Sequence, residues 1–574
     1  MKKNYLILVF CSLVFSYTAN CQYSRYIIRL TDKKGTAFTL SNPAPYLSAR
    51  SIARRNKYKI AIDSTDLPLS SSYTDSIKSV PNVTILNVSK WLNQVCIKTT
   101  DPAALAKINA FPFVKNSAAV AARMMQADPG PSFKTEEFNQ SPVPLRINNI
   151  ASPFNITGTL DLLNYGNNAG QVHIHKGEFL HNLGFRGEGM IITMLDGGFF
   201  NYKNNPAFDS LRLQNQILGT WDYVANELSV NEDNAHGAWC LSVMAANEPG
   251  KMIGTASKAK YWLLRTEDVA TEYPVEEQNW VAAAEFADSA GTDIITSSLG
   301  YSDFNDHSFD HSYAQRDGKT AMISIGATLA VKKGILVTNS AGNSGRDAAD
   351  TKYVICPADA DSVFTIGSTD VNGAISDFSS WGPNGAGKLK PNVVSVGGPA
   401  VFADANNGNP VTGKGTSFSN PNLCGLIACL WQAFPEFSNR EIMDAVQKSA
   451  DRFTNPDFRY GYGIPDMEKA YLDLQQQRAV RNYQQQVLGN NWIKALPVPF
   501  NDNLSVMINA PLTGNGSLRL VDMNGKTVEI KTTSLQQGTV YTITFNNIRF
   551  ISKGVYTIQY SDGKNKTSLR VVKQ

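Results

Sequence analysis

The chain lacks the features that mark proteins acting on nucleic acid or inside a membrane. Of its 574 residues, 53 are basic and 49 are acidic, and the formal net charge of +4 is spread without long runs of one sign. This balance offers neither a basic footprint for a phosphate backbone nor a polybasic membrane patch. Beyond the N-terminus, no apolar run is long enough for a membrane helix. We therefore expect no nucleic-acid partner and a soluble protein.

Cysteine is also scarce, because only five cysteines follow residue 21 in so long a chain. Their wide spacing does not suit a disulfide framework. Two of them, Cys240 and Cys424, fall on helices that we expect to enter one site, so these two could lie close together. The favoured interpretation is that the cysteines are small buried apolar residues. The five are Cys96, Cys240, Cys356, Cys424 and Cys429.

Residues 1–21 have the pattern of a cleaved signal peptide. Two lysines precede a mostly apolar run from Tyr5 to Tyr17, which is too short to span a bilayer comfortably, and small residues lie just before Gln22. A lipoprotein signal ending at Cys21 is the alternative, but Asn20 fits poorly where that signal needs a small residue. The pattern predicts export from the cytoplasm.

Length and composition predict an ordinary globular protein of three or four domains. The apolar share is 43% and the charged share is 18%, with 42 glycines and 26 prolines. Changes in pattern along the chain divide it further. The predicted parts are the signal peptide (1–21), a small α+β module (22–120), a proline-rich connector (121–164), a large domain (165–475), a glutamine-rich linker (476–492) and a β-sandwich (493–574).

The large domain alternates buried apolar strands with helices, which predicts a parallel sheet with helices on both faces. In such sheets, chemistry takes place beyond the carboxyl ends of the strands. Strands are expected near residues 190–195, 261–264, 293–296, 334–338 and 363–367, and helices at 275–289 and 321–333. The tail instead predicts short strands joined by tight turns at Asn524-Gly525 and Asp562-Gly563.

Three short segments of the large domain carry residues suited to nucleophilic catalysis. Asp196 follows an apolar strand, His236 precedes a helical stretch, and Ser417 lies in a glycine-rich turn before another helix. A hydroxyl group needs a base to take its proton, and a buried carboxylate can hold a histidine in the right tautomer for that task. Each segment alone is weak evidence, but the order Asp, His, Ser is that of one known class of triad.

Together with the motifs around them, these segments resemble the subtilisin-like serine peptidases over about 300 residues. Ser417 lies in Gly-Thr-Ser-x-x-x-Pro, and the runs Ser-Leu-Gly at 298–300 and Ala-Gly-Asn at 341–343 also match. The resemblance implies a catalytic triad of Asp196, His236 and Ser417. It further implies an oxyanion hole with Asn343 and the Ser417 N–H, and substrate binding along Ser298, Leu299 and Gly300 and along Ala341 and Gly342.

The same resemblance implies a secreted serine endopeptidase that forms an acyl-enzyme and is made as a self-inhibited precursor. The module at 22–120 resembles the propeptide of the family. The tail resembles the C-terminal sorting domains of type IX secretion in Bacteroidetes, beginning with Pro-x-Pro-Phe-Asn at 497–501. The expected partners are protein or peptide substrates, the propeptide itself and the secretion machinery, at the extracellular side of the outer membrane. A β-sandwich that only stabilises or binds is the alternative for the tail.

Several positions depart from the family pattern. Phe418 follows the serine where a small residue is usual, and Trp239 and Cys240 are bulkier than usual after His-Gly-Ala. Asn392 stands in the family's Pro-Asp-Val, and 395–397 read Ser-Val-Gly where Ala-Pro-Gly is common. The chemistry implies no required cofactor, but these departures leave calcium binding open.

Other functions fit the sequence less well. A pseudoprotease would lack a triad member or Asn343, a serine esterase would carry Gly-x-Ser-x-Gly and the order Ser, acid, His, and a carboxyl-type serine peptidase would replace His236. Two histidine pairs, His173/His175 and His307/His311, have spacings that can bind zinc, but neither has an evident third ligand. We therefore predict no metal site from them.

Overall fold

The computed structural model describes residues 23–122, 138, 140–145, 161–232, 234–348 and 351–574. The expected signal peptide and much of the expected connector lie outside these residues. The chain divides into two compact units, the second of which is Leu472–Gln574. Within the described part of the chain, no helix combines the length and apolarity needed to cross a membrane.

The N-terminal module is a four-stranded antiparallel sheet with three helices, in agreement with the predicted α+β pattern. The strands are β1 (Tyr23–Leu30), β2 (Thr84–Ser89), β3 (Gln94–Lys98) and β4 (Val114–Ala122), and the helices are α1 (Ala49–Tyr58), α2 (Ser71–Lys78) and α3 (Pro102–Asn109). They form a sheet of order β2-β3-β1-β4. Helix α1 begins where the Ser48 hydroxyl accepts the Ser51 N–H, and it ends at Lys59 in a left-handed conformation.

The large domain is built from twelve strands and several helices. The strands are β5 (Val143–Pro144), β6 (Ile191–Asp196), β7 (Ile217–Asp222), β8 (Asn247–Glu248), β9 (Met252–Ile253), β10 (Lys260–Arg265), β11 (Ile294–Ser297), β12 (Leu336–Ser340), β13 (Phe364–Thr369), β14 (Val393–Val396), β15 (Ala400–Ala403) and β16 (Pro410–Gly413). The helices are α4 (Ala169–His173), α5 (Gly177–Asn182), α6 (Asp209–Leu213), α7 (His236–Ala245), α8 (Val275–Ala290), α9 (Met322–Lys332), α10 (Thr416–Ala433) and α11 (Asn439–Ser449), with 3-10 turns at Pro206–Phe208, His307–Phe309 and Tyr313–Gln315.

Seven of these strands form one parallel sheet of order β14-β13-β12-β11-β6-β10-β7, which confirms the predicted fold class. Ile295 on β11 belongs to the core that helices α8 and α9 cover. The next residue, Thr296, accepts a hydrogen bond from Asn420 on α10. Because successive strand residues point to opposite faces, helices cover both faces of the sheet.

Two strands of this sheet were not predicted, and both lie at its edges. Strand β7 is only half-buried along most of its length and contains Gly219, so it lacks the apolar run that marked the central strands. Strand β14 has only four residues. Partial burial thus explains the weak signal of β7, whereas β14 is fully buried but too short, with Ser395 inside it, to give a clear apolar run.

Helix α10 runs through the interior of the large domain. Of its 18 residues all but one are buried, and it packs against strands β11 to β14. A helix that is apolar on every side is expected inside a large core rather than at its surface. Its first residue, Thr416, therefore brings the following Ser417 to the carboxyl edge of the sheet.

The C-terminal unit contains two antiparallel sheets around one apolar core, as the predicted β-sandwich requires. Its strands are β17 (Ile493–Leu496), β18 (Leu504–Asn509), β19 (Gly514–Val521), β20 (Thr527–Leu535), β21 (Val540–Phe545), β22 (Gly554–Ser561) and β23 (Lys566–Lys573). The sheet orders are β17-β18-β21 and β20-β19-β22-β23. Gly525 and Gly563, with φ of 81° and 90°, lie in the two predicted turns.

The predicted linker at 476–492 is largely helical. Helix α12 (Met467–Leu488) covers all but its last four residues. The segment was taken for a linker because it is polar and rich in glutamine, but Gln, Arg and Ala are all good helix formers. Polar composition alone did not separate a helix from a linker here.

A buried cluster of ion pairs joins the N-terminal module to the large domain. Arg54 and Arg55 on α1 both contact Asp288 on α8, with N–O distances of 2.5 and 2.7 Å. Arg55 also contacts Asp66 at 2.9 Å, and Lys333 contacts the same Asp66 at 2.9 Å. All five side chains are less than a tenth exposed. Asp288 and Lys333 of the large domain are therefore compensated here by charges of the module, whereas Arg55 and Asp66 also pair within the module.

Glu285 on the same helix α8 provides a second buried attachment. Its carboxylate accepts hydrogen bonds from the backbone N–H groups of Lys90 and Trp91, at 2.8 and 3.0 Å, and from the Ser89 hydroxyl. Ser89 is the last residue of strand β2, and Lys90 and Trp91 follow it directly. One face of α8 thus presents two carboxylates to the module.

We predict that Arg55→Ala destabilises the precursor. The substitution leaves Asp66 and Asp288 buried with less compensating charge, and loss of one partner of a buried pair costs about 3–5 kcal/mol. Urea unfolding of the uncleaved Ser417→Ala chain measures the change. Arg346→Ala is the matched control, because its pair with Asp377 is exposed and is worth less than about 1 kcal/mol. An equal loss of unfolding free energy in Arg55→Ala and Arg346→Ala would contradict a stabilising role of the buried cluster.

Candidate active site

Asp196 and His236 meet at the carboxyl edge of the parallel sheet. Asp196 is the last residue of β6, and His236 is the first residue of α7. The Nδ1 atom of His236 lies 2.8 Å from Oδ1 of Asp196, and both side chains are almost fully buried. Gly237 permits this approach, because a Cβ there would lie 2.9 Å from the Asp196 Cβ. The pair is a carboxylate–imidazole hydrogen bond shielded from water.

Ser417 lies beside this pair as the second residue of helix α10. Its backbone carbonyl accepts hydrogen bonds from the Ser298 hydroxyl at 3.0 Å and from the Cys240 thiol at 3.2 Å. Cys240, one turn after His236, also lies 3.9 Å from the His236 Nδ1 atom. One thiol therefore connects the helix that carries the histidine to the helix that carries the serine.

Asn343 is held by the residue before Ser417. Its Oδ1 atom accepts hydrogen bonds from the N–H and the hydroxyl of Thr416, at 2.9 and 3.0 Å. Since the oxygen is engaged there, the amide nitrogen points elsewhere. A Cβ on Gly415 would lie 3.8 Å from that nitrogen and 3.7 Å from the Ser417 backbone nitrogen. Both nitrogens thus border one small space beside Gly415.

The two segments expected to bind substrate follow adjacent strands. Ser298–Gly300 follows β11 and Ala341–Asn343 follows β12, and the two strands pair in parallel with Ser297 opposite Asn339. The side chain of Ile355 lies against both Gly300 and Gly342. Sequence reasoning missed Ile355, since it belongs to no motif and only the fold brings it here. The surface between the two segments is apolar at this point.

The bulky departures from the family pattern pack on one another. Phe418 stacks on Phe402 with ring centroids 4.3 Å apart and planes 11° apart, and Trp239 lies 5.6 Å from the same Phe402 ring. All three are buried. The large residue after the serine is therefore matched by aromatic partners behind the site.

Phe138, from the expected connector, lies directly on the imidazole of His236. Its ring centroid is 4.8 Å from that of His236, and its carbonyl accepts a hydrogen bond from Asn234 at 3.3 Å. Only 6% of Phe138 is exposed. This contact could not be predicted from the sequence, because the connector shows no periodicity and no motif.

The environment of His236 favours its charged form. Burial lowers the pKa of the imidazole, but the Asp196 carboxylate and the neighbouring Cys240 raise it, and the resulting pKa lies well above the usual value of 6.5. Burial raises the pKa of the Cys240 thiol. We therefore treat Cys240 as a protonated donor to the Ser417 carbonyl and attribute the pKa of His236 to Asp196.

The members of each histidine pair have separate partners. His175 is buried between the Pro465 carbonyl and the Ser395 hydroxyl, and burial lowers its pKa to about 4. His173 instead contacts Asp161 at 2.9 Å. His307 and His311 contact different carboxylates, which are Asp310 at 3.0 Å and Glu277 at 2.6 Å.

Two groups of potential ligands do converge among the described residues. One is Asp196, His236 and Cys240, which is the site above, and the other is Glu267, Glu272 and Glu276. The Tyr301 hydroxyl donates to Glu267 at 2.6 Å.

None of the five described cysteines forms a disulfide, and all are buried, as expected of apolar residues.

The comparisons with known proteins assign the three parts of the chain. Residues 187–463 match the model of the subtilase family, peptidase S8. Residues 25–136 match the peptidase S8 propeptide domain of Bacteroidota, and residues 494–574 match the secretion system C-terminal sorting domain.

Individual relatives are more distant. The chain is 24% identical over 287 residues to the thermostable alkaline protease of Halalkalibacterium halodurans, covering 50% of this chain and 68% of that protein. It is 24% identical to subtilisin E of Bacillus subtilis, covering 51% and 69%, and 26% identical to thermitase of Thermoactinomyces vulgaris, covering 50% and 89%.

The family match and the similarity to subtilisin E define residues 187–463 as a serine-type endopeptidase domain. This domain belongs to the subtilase family. It is a precursor with an N-terminal propeptide domain and a C-terminal sorting domain of type IX secretion, and the protein is secreted or attached to the cell surface.

Proposed function

We propose that Asp196, His236 and Ser417 are the catalytic triad of this endopeptidase. The observation that carries the proposal is the buried 2.8 Å contact between Asp196 and His236, next to a serine at the N-terminus of α10. Asp196 holds the imidazole with Nδ1 as the donor, so Nε2 is the nitrogen that takes a proton. All three members are present, which disfavours a pseudoprotease.

In the proposed reaction, the Ser417 hydroxyl attacks the carbonyl carbon of a peptide bond while His236 takes its proton. The C–N bond then breaks as His236 returns that proton to the leaving amine. A water molecule, activated by the same imidazole, hydrolyses the resulting ester and restores Ser417. No cofactor takes part in these steps.

The oxyanion is proposed to lie in the space beside Gly415. The amide nitrogen of Asn343 and the N–H of Ser417 border that space. The N-terminus of α10 adds the positive end of a helix dipole. Because Asn343 is fixed through Thr416, its donor is oriented before substrate arrives.

Substrate is proposed to bind in extended form along Ser298, Leu299 and Gly300. One substrate side chain would then lie between this segment and the segment of Ala341 and Gly342. Ile355 contacts both segments and would give the pocket for that substrate side chain an apolar wall. Polypeptide strands bind at such edges through main-chain hydrogen bonds. The substrates are accordingly protein or peptide chains.

The propeptide domain is proposed to keep the enzyme inactive until it is removed. It is fixed to α8 by the buried pairs of Asp288 and by Glu285. The secretion machinery is the proposed partner of the C-terminal domain, outside the cytoplasm.

We propose that no metal ion is bound near Asn392, because the ammonium group of Lys390 lies at that place. The ammonium group of Lys390 is buried within hydrogen-bonding distance of the carbonyl oxygens of Ala360 and Val363, both at 2.7 Å, and of Thr365 and Asn392, at 2.8 and 3.1 Å. Burial lowers the pKa of the Lys390 ammonium group to about 7, so below that pH it places a positive charge among four oxygens, as an ion would.

Replacing Ser417 tests the proposed function. We expect the wild-type protein to react with a fluorophosphonate probe and to cleave denatured casein, and Ser417→Ala to do neither. Ser419→Ala, two residues further along α10, is the control that should keep both activities, because its hydroxyl only bonds the Thr416 carbonyl. A folded, fully processed wild-type protein that neither labels nor cleaves would instead indicate a pseudoprotease.

The pH profile tests the pairing of Asp196 with His236. The base must be neutral, so kcat/KM should rise with pH through a pKa above 6.5, which is the direction of the shift in His236. Asp196→Asn removes the carboxylate that raises this pKa. We expect a loss of about 10⁴ in kcat and a rising limb at lower pH. If the rising limb of the pH profile were unchanged in Asp196→Asn, Asp196 would not be the group that raises the pKa of His236.

Asn343→Ala tests the oxyanion donor. We expect kcat to fall by about 10²–10³ with little change in KM, because the lost hydrogen bond forms mainly in the transition state. Asn406→Ala on an exposed loop is the control and should match the wild type. Unchanged kcat in Asn343→Ala, in a protein of unchanged thermal stability, would exclude Asn343.

A further inference from the structure

The space between the two proposed substrate-binding segments contains the side chain of Ile355. Gly300 ends the first segment, Ser298–Gly300, and Gly342 lies within the second, Ala341–Asn343. A Cβ on Gly300 would overlap the Cγ1 and Cδ1 atoms of Ile355, and a Cβ on Gly342 would lie 3.2 Å from the same two atoms. The outer carbons of one isoleucine therefore reach both glycines and bridge the gap between the segments.

The backbone around Ile355 is fixed on both sides. Cys356, the next residue, exchanges backbone hydrogen bonds of 2.8 and 3.1 Å with Tyr301, which directly follows the first segment. The N–H of Val354, the residue before, donates to the carbonyl of Trp381 at 2.8 Å. The chain thus holds Ile355 in a fixed position beside the first segment.

The side chain of Ile355 also has little freedom to move aside. Only 7% of the residue is exposed. A β-branched side chain prefers few rotamers, and a closely packed interior resists displacement of a buried group. The adjacent Val354 belongs to a buried apolar cluster with Ala341 and Ala358, so the chain around Ile355 is packed against the second segment. A substrate therefore meets Ile355 as a fixed wall.

The substrate residue that meets this wall is the one whose carbonyl group is attacked. Its carbonyl oxygen would lie beside the amide nitrogen of Asn343, the proposed oxyanion donor, which directly follows Gly342. The side chain of the same substrate residue would then enter the gap between Gly342 and Gly300. Because Ile355 already bridges that gap, the depth left for the substrate side chain is small.

We infer that Ile355 closes the base of this pocket and restricts the enzyme to protein chains with glycine, alanine or serine directly before the cleaved bond. The inference rests on the proposed function, since it names the substrates of the same site. A methyl or hydroxymethyl group fits above the isoleucine, whereas a benzyl group or a long basic side chain would overlap its outer carbons. Overpacking a fixed apolar wall is costly, and one methylene alone changes kcat/KM by about 10- to 200-fold in such pockets.

The first experiment measures the preference of the mature wild-type enzyme. Peptide p-nitroanilides that differ only in the residue before the cleaved bond carry alanine, phenylalanine or lysine there. We expect kcat/KM for alanine to exceed the other two values by about a hundredfold or more. Equal values for alanine and phenylalanine, in an enzyme that reacts with the fluorophosphonate probe, would overturn the inference but leave the proposed function intact. A folded, processed protein that neither reacts nor cleaves any peptide would refute both.

The second experiment enlarges the pocket. Ile355→Val removes the Cδ1 atom, and Ile355→Ala removes the Cγ atoms as well. We expect kcat/KM for the phenylalanine peptide to rise in that order, by about tenfold or more in Ile355→Ala, with little change for the alanine peptide.

Val354→Ala is the matched control for these variants. It shortens the adjacent buried side chain, whose apolar partners are Ala341 and Ala358, and should leave the ratio of the phenylalanine and alanine values unchanged. A ratio in Ile355→Ala equal to that of the wild type would overturn the assignment to Ile355. An equal rise of the ratio in Val354→Ala would do the same.

Mapping the cuts in a protein substrate covers the case in which the variants do not mature. Mature wild-type enzyme digests denatured casein, and mass spectrometry identifies the ends of the fragments. We expect glycine, alanine or serine before most of the cleaved bonds. Cuts that follow aromatic or basic residues as often as those residues occur in casein would overturn the inference.

Discussion

The site depends on one constraint, which is the passage of helix α10 through the core of the large domain. Because the helix is buried on all sides, its axis cannot move without disturbing strands β11 to β14. Its N-terminus is fixed further by the Thr416–Asn343 contacts and by the Ser298 hydroxyl on the Ser417 carbonyl. Close packing thus holds the proposed nucleophile, the proposed oxyanion donors and the proposed substrate edge in one rigid arrangement.

Helix α8 is in different surroundings in the precursor and in the enzyme. In the precursor, Glu285 and Asp288 are buried and must be compensated by donors and cations of the propeptide domain. When that domain leaves, the face of α8 that it covered meets water, where carboxylates are well solvated. Charged attachment therefore acts beside an apolar contact, in which Val275 at the start of α8 packs against Ile27 and Cys96 of the module.

The sequence predicted the parts of the protein that local pattern determines. Central strands such as β6 and β12 are apolar runs, and Asp196, His236 and Ser417 lie in motifs at the ends of elements, so all of these were placed correctly along the chain. Strand β7, helix α12 and the positions of Ile355 and Phe138 were missed. Their roles depend on edges, polar helix formers and contacts between segments far apart in the chain, which no local window contains.

The departures around Ser417 show why such contacts matter for reading a family pattern. Phe418 alone would crowd a site that normally has a small residue there, and Trp239 alone would do the same after the histidine. Both instead pack on Phe402, so the three aromatic residues form one unit behind the imidazole. Because both larger residues are buried against a common partner, they are accommodated behind the proposed site. The aromatic unit also places an apolar wall next to His236, which excludes water from the Asp196 contact.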